Sequence, residues 1–322
     1  MGKIAALISA LSFLPVAIFG SGVTGADILK ADTGVRAIGL GSAYTAAGND
    51  VESINFNPAG IVFVSGRDVK AYYVKNYAGS LNVELYNISY AQPLETSFLE
   101  GTIALEATYL GLPTISNPDA ADPGVVFNDL LIKAVYAVNA AKLSYIPWSE
   151  SKYLNLGIAA GMVFEQLGTF SGSSVMFDLG SQFVLYDTGF MFGAALQNIG
   201  TPIKYISEAS PLPLTLRLGA SYDTRIDKHN IILVSMDYIQ DFYDYARFAA
   251  GVEDSILNLF YLRAGYNTSI DTRNASYISV GAGLTVKLLE TTLAIDYTFR
   301  LQFWNGFNGS QQSQLVGIGA KF

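Results

Sequence analysis

From residue 67 onward the chain alternates in polarity. Segments of about ten residues put apolar side chains at every second position and break at turn residues, the repeated signature of a membrane-spanning β-barrel. In "TTLAIDYTFR", Leu293, Ile295, Tyr297 and Phe299 share one face, and Ala294, Asp296, Thr298 and Arg300 the other. In "YLNLGIAAGMVFE", Leu154, Leu156, Ile158, Ala160, Met162 and Phe164 oppose Asn155, Gly157, Gly161 and Glu165. "YISVGAGLTVK" and "LPLTLRLGASYD" divide the same way. About fourteen segments start near residues 68, 82, 101, 129, 153, 174, 188, 213, 230, 245, 258, 276, 290 and 313. An even number brings both ends of a barrel to the same side of the membrane. No amphipathic helical stretch interrupts the series.

Connection lengths agree with this reading. If the first strand runs outward, connections after odd-numbered strands are extracellular and should be longer. The long connections 111–128, 199–212 and 300–312 all follow odd strands, and the tight turns at Asp187 and Leu288–Leu289 follow even ones. The connection 140–152 is long on the other side and breaks the trend. A soluble sandwich would carry charges on its outer face, and a propeller would repeat every 40–50 residues or so. Neither pattern is present. The expected fold is all-β: an antiparallel transmembrane barrel of about fourteen strands.

Composition strengthens the membrane reading. The 322-residue chain is 51% hydrophobic and 14% charged, against about 25% charged in an ordinary soluble domain. Mean hydropathy is +0.32. Only the start approaches a helical span. "MGKIAALISALSFLPVAIFG" carries Lys3, then an apolar run from Ile4 to Phe19, then small residues. This reads as a secretory signal peptide over 1–22, cleaved between Gly20 and Ala26, with an uncleaved anchor as the alternative. Residues 23–66 then form a separate unit, and 67–322 the barrel.

Candidate chemistry is sparse. There is no cysteine and one histidine, His229, so thiol nucleophiles, thiolate metal sites and histidine-rich sites are excluded. A histidine-based hydrolase would need its base in a site, whereas His229 lies in the turn sequence "DTRIDKHN". No cofactor or metal is expected, and the protein is not expected to be an enzyme. The net charge of −8 argues against a nucleic-acid partner. Twelve charges fall in phase with the polar face, six of each sign: Glu106, Lys133, Glu165, Asp178, Arg217, Asp237, Arg247, Glu253, Arg263, Lys287, Asp296 and Arg300. Facing lipid, each Arg or Lys would cost roughly 2–4 kcal/mol near the midplane, so all twelve are expected to face the lumen. Balanced signs favour ion pairs that fill and stiffen the barrel; a direct role in solute selection is the alternative.

The segment "GVRAIGLGSAYTAAGNDVESINFNPAG" lacks strand alternation. It resembles the N-terminal signature of the PorV/PorQ and UPF0164 outer-membrane proteins, relatives of the FadL-like transporters. Arg36, Ala37, Gly39, Gly41, Ala43 and Tyr44 match the first part of that pattern, and Asn57, Pro58, Ala59 and Gly60 the second. Leu40 stands where Met is usual and Ser42 where Gly is usual. "LQNIG" at 196–200, "LPLTLRLGASY" at 212–222, "GVE" at 251–253 and "LRAGY" at 262–266 match further blocks. The resemblance implies fourteen strands and an N-terminal hatch inside the lumen, with the Asn57–Gly60 turn in that hatch. A simple turn leading into the first strand is the other reading of Asn57–Gly60.

Two roles follow from the resemblance. One is uptake of a hydrophobic or amphipathic small molecule across the outer membrane. The other is a PorV-type part in type IX secretion, with an exported protein as partner at the outward connections. The chain closes on "SQLVGIGAKF", where Val316, Ile318 and Phe322 share one face. A final strand ending in Phe resembles the signal read by the barrel assembly machinery, which with outer-membrane lipids completes the expected partners. The strand is expected to close the ring against residues 68–77.

Overall fold

The computed structural model describes residues 24–78, 81–96, 100–115, 125–142, 154–185, 187–205, 209–227, 229–270, 275–304 and 310–322. The segment read as a signal peptide lies outside the described residues, as do 116–124 and 143–153 of the long connections.

The alternating segments become strands: β1 (Asp68–Ala78), β2 (Leu81–Glu95), β3 (Glu100–Ile115), β4 (Val125–Asn139), β5 (Leu154–Leu167), β6 (Phe170–Leu185), β7 (Phe190–Gly200), the short β8 (Ile203–Lys204) and β9 (Ala209–Ser210), then β10 (Thr215–Arg225), β11 (Asn230–Asp241), β12 (Arg247–Ile256), β13 (Phe260–Ser269), β14 (Ala275–Leu288), β15 (Thr291–Trp304) and β16 (Ser310–Lys321). Fourteen of them form one closed antiparallel barrel, and β8 pairs only with β9. Barrel strands of ten to sixteen residues exceed the 9–11 or so that a tilted strand needs to cross a bilayer. The ring closes between first and last strands, from Asp68 opposite Lys321 to Tyr77 opposite Gln312. Closure leaves no unpaired edge, which hydrocarbon would not tolerate.

The outer surface is an apolar belt. Ile88, Leu105, Ile158, Phe177, Met236, Val280, Ile295 and Ile318 are all exposed, on strands all around the ring. Soluble monomers rarely expose apolar patches beyond about 300–600 Å², so this surface belongs in lipid. The inner surface is the reverse of an ordinary core: Glu106, Lys133, Glu165, Asp178, Arg217, Asp237, Glu253 and Arg263 are buried there.

What buries them is residues 24–66. This unit holds short 3-10 turns at Asp27–Lys30, Val51–Asn55 and Pro58–Phe63 and one α-helical turn at Val35–Gly39. Its Ile38, Leu40, Tyr44, Val51, Ile54 and Phe56 are fully or almost fully buried. The largest share of the protein's apolar core therefore lies inside the barrel. Among the described residues no helix is long and apolar enough to cross a membrane.

The internal unit runs the length of the lumen. At one end Gly25 N–H donates to Pro211 O (3.1 Å), in the β7–β10 connection. At the other, Arg67 N–H donates to Phe322 O (2.8 Å) and Phe322 N–H returns to Arg67 O (3.0 Å). These two ends of the barrel are called the mouth and the terminal rim below.

Candidate functional site: the hatch and the lumen wall

Residues 24–66 form the hatch, and the wall meets them at glycines. A Cβ on Gly265 would overlap the backbone of Leu40 and Gly41; on Gly157, that of Pro58 and Ala59; on Gly193, that of Thr45. The glycine-rich polar face of the strands is thus a set of recesses into which hatch backbone fits. Gly41 itself has φ 67°, and a Cβ there would strike the Tyr266 backbone. Only glycine meets both demands at that position.

Backbone so deep in the lumen needs hydrogen-bond partners. Acidic side chains supply many of them. Glu165 accepts from Ala26 N–H (2.8 Å) and Asp129 from Ile28 N–H (3.1 Å). Asp237 accepts from the amides of Tyr44 and Thr45 and from the Thr45 hydroxyl. Within the hatch, Glu52 accepts from the amides of Arg36 and Ala37 at the start of the helical turn, the end where the backbone is electropositive.

Asn57 joins three pieces of chain. Its side-chain oxygen accepts from Ala59 N–H and caps the 3-10 turn that begins at Pro58. Its amide donates to Thr45 O (2.9 Å) in the hatch and to Ser181 O (2.8 Å) on β6. Ala59 packs at Gly157, and a Cβ on Gly60 would strike Gly48 O and Ser53. Asn57–Gly60 therefore pins the hatch to the wall, which a mere lead-in turn would not do.

Arg36 begins an ion network. It reaches Glu253 through two hydrogen bonds (2.8 and 2.7 Å) and also contacts Tyr44, Asn49 and Asp50. Glu253 continues to Arg263 at 2.6 Å, and Arg263 to Asp296 at 2.6 Å. Lys70 on β1 meets Asp50 at 2.9 Å and Glu52 at 3.1 Å. Burial pushes the Asp50 carboxyl upward, but Lys70 and Arg36 outweigh it and hold the group well below the usual carboxylate range. Gly39 lies against Arg263 and Thr298.

Lys133 and Asp178 pair at 3.1 Å with side chains 4% and 0% exposed. The other Asp178 oxygen accepts from Asn198 N–H (2.7 Å). Asn198 has φ 63° at a bulge, where β7 places one extra residue against β6. This is the structural content of "LQNIG". Lys133→Met leaves Asp178 buried without its cation and is expected to cost roughly 3–5 kcal/mol, read as a lower urea midpoint for unfolding in detergent.

Of the twelve in-phase charges, eight are buried in the lumen. Arg247, Asp296 and Arg300 also point inward, with side chains 25%, 12% and 11% exposed. Lys287 departs from the expectation. It is exposed beside the β14–β15 turn at the terminal rim, where the strand has left the lumen and the ammonium can stay in water. Asp129 and Lys70 share the inward phase of Lys133 and Tyr72, so strand parity alone could have found them. Gln182, donating to Ala46 O and Gly48 O, and Gln197, donating to Asn55 O, carried no sequence signal beyond that phase. Val316, Ile318 and Phe322 are exposed on the outer face of the closing strand. His229 is exposed in the β10–β11 turn. Among the described residues no group of three or more Asp, Glu, His or Cys side chains is placed to hold a metal ion.

Two of the spaces beside the hatch differ greatly in size. At the terminal rim lies a chamber of about 640 Å³. Arg36, Asp50, Lys70 and Glu253 form part of its lining, while Phe63, Leu185, Met191, Ile231 and Leu233 form another. Toward the mouth a cavity of about 40 Å³ remains between hatch and wall.

No protein-family model matches the chain, and no curated protein matches it in sequence. Solved structures do match in shape. The Pseudomonas putida toluene transporter TodX superimposes with a TM-score of 0.55 at 12% identity, covering 90% of this chain and 98% of that one. The monoaromatic hydrocarbon channel CymD gives 0.51 at 10% identity, covering 90% and 97%. The chain shares their fold. The PorV/UPF0164 and FadL-like resemblance rests on the quoted residues.

Proposed function

We propose that this protein is an outer-membrane channel for hydrophobic or amphipathic small molecules, gated by its hatch. The observation that carries this reading is the chamber of about 640 Å³ at the terminal rim, within the size range of small-molecule sites. Its apolar and charged linings suit a solute with both characters. The hatch closes the lumen between this chamber and the mouth, held by hydrogen bonds and ion pairs that can re-form with water when it moves. The likeness in fold to hydrocarbon channels supports the same reading. In this proposal residues 1–22 direct export and are removed, lipid surrounds the belt, and the assembly machinery inserts the barrel.

Purified barrel reconstituted into liposomes is expected to raise the entry of toluene or a medium-chain fatty acid several-fold over empty liposomes. Entry no faster than in empty liposomes, from a preparation with intact heat-modifiable mobility and beside a working control transporter, defeats the proposal. The alternative in protein secretion would rest on the outward connections 111–128 and 300–312. Of these, 116–124 and 305–309 lie outside the described residues and the rest belongs to strand ends. No observation here favours this alternative.

A further inference from the structure

Arg217, on β10 inside the lumen, is 6% exposed. Its Nε donates to Gln197 Oε1 (2.7 Å), and its guanidinium lies 5.1 Å from the centre of the Phe56 ring. Its Nη1 is buried without an acceptor. Among the described residues no carboxylate comes within 4.0 Å of it, although such pairs fix Arg36 and Arg263. A guanidinium cannot shed its proton to escape burial, so an unpaired one is costly.

Arg217 also lies among arginines whose ion pairs are long. Arg247 and Arg300 share one carboxylate, Asp32, at the long distances of 4.0 and 3.8 Å. Asp32 is further engaged by the Tyr277 hydroxyl (3.3 Å). The neighbouring wall carboxylate, Asp237, is turned to the Tyr44 and Thr45 amides. The lysines beside the same space each have an acid of their own: Lys133 has Asp178 and Lys30 has Asp27. Among the described residues only Asp32 comes within ion-pair distance of these guanidiniums, and it touches Arg247 and Arg300 rather than Arg217; Asp237 and Asp241 act on Arg217 and Arg247 from farther away.

The space that Arg217 and Arg247 face is the cavity of about 40 Å³, lined also by Asp32, Asn198 and Thr215. A single water needs about 10–15 Å³ by this measure. The cavity accommodates an ion and a water or two; it cannot hold an aromatic ring or an alkyl chain.

We propose that this cavity is a binding site for a small inorganic anion, a halide or an oxyanion up to the size of phosphate, held chiefly by Arg217 Nη1 and Arg247. The site is separate from the solute chamber at the terminal rim, and its existence does not depend on what the barrel transports. The anion supplies the charge that Arg217 lacks. Because Phe56 and Asp32 belong to the hatch and Arg217 and Arg247 to the wall, it also ties the two together at the mouth side.

Two measurements on the full-length purified barrel test this. Thermal unfolding in detergent at fixed ionic strength, with gluconate as the bulky reference anion, is expected to shift upward by a few degrees and saturate as bromide or phosphate replaces it. Arg217→Gln and Arg247→Gln are expected to abolish the shift while keeping heat-modifiable mobility. Bromide-soaked crystals should show an anomalous peak beside Arg217 Nη1. The absence of a saturable shift, an equal shift in the folded variants, or a bromide peak found only on the outer surface would each overturn the assignment. Stabilisation by benzoate or octanoate that Arg217→Gln abolishes along with that by bromide would overturn it too, because those ions do not fit the cavity.

Discussion

A barrel carrying Gly265→Val is expected to lose its seal. The new side chain would meet the backbone of Leu40 and Gly41, and main chain cannot swing aside as a long side chain can. Overpacking a well-filled interior costs about 1–3 kcal/mol where side chains can adjust, and a clash with fixed backbone belongs at or above the top of that range. The barrel strands are tied by a continuous backbone ladder all round the ring, whereas the hatch is joined to it chiefly by separate side-chain bonds. The hatch should therefore yield first. The expected readouts are faster protease cleavage within residues 24–66 and a rise of about tenfold or more in the leak of small hydrophilic solutes. Gly319→Ala is the control: its nearest neighbour would be Lys70 Cγ at 3.2 Å, a mild contact with a side chain and none with hatch backbone. Unchanged protease resistance and leak in folded Gly265→Val protein would refute the view that wall glycines seat the hatch.

Deleting Phe322 is expected to lower the outer-membrane level of the protein by about tenfold or more. Two separate losses contribute. The backbone pair between Phe322 and Arg67 extends the β1–β16 seam to the point where the hatch becomes a strand. The ring itself is exposed on the outer face and is the feature that resembles the assembly signal. Phe322→Ala separates them, since it keeps the backbone pair and removes the ring. If the ring is read during assembly, Phe322→Ala should also accumulate poorly. Normal levels of the deletion protein, judged by heat-modifiable mobility of the outer-membrane fraction, would contradict both parts.

The barrel was legible because lipid enforces a strict rule. Every second side chain must be apolar for a strand to face hydrocarbon, so the pattern in "TTLAIDYTFR" fixes the inward phase of Asp296 and Arg300 at once. Strand starts expected near 68, 230 and 276 fall at Asp68, Asn230 and Ala275. The hatch was much less legible. Its segments are short turns whose partners lie far away in sequence, such as Ala26 with Glu165 or Asn57 with Ser181. No local periodicity encodes such pairs. Wall glycines read only as a small-residue face, because nothing in a strand pattern says what will press against it. Lys287 shows the limit of parity itself: the rule gives the side of the strand, not whether the strand is still enclosed there.

The course of residues 24–66 has a consequence for biogenesis. This segment enters beside Pro211 at the mouth and leaves beside Phe322 at the opposite end, like a thread already drawn through a bead. A finished ring would have to be threaded end to end to acquire it. Folding the segment against the growing wall and then zipping the β1–β16 seam around it avoids that barrier. The strand that closes the ring would thus wrap a segment folded before it, and the hatch would serve the nascent sheet as a mandrel that sets its curvature.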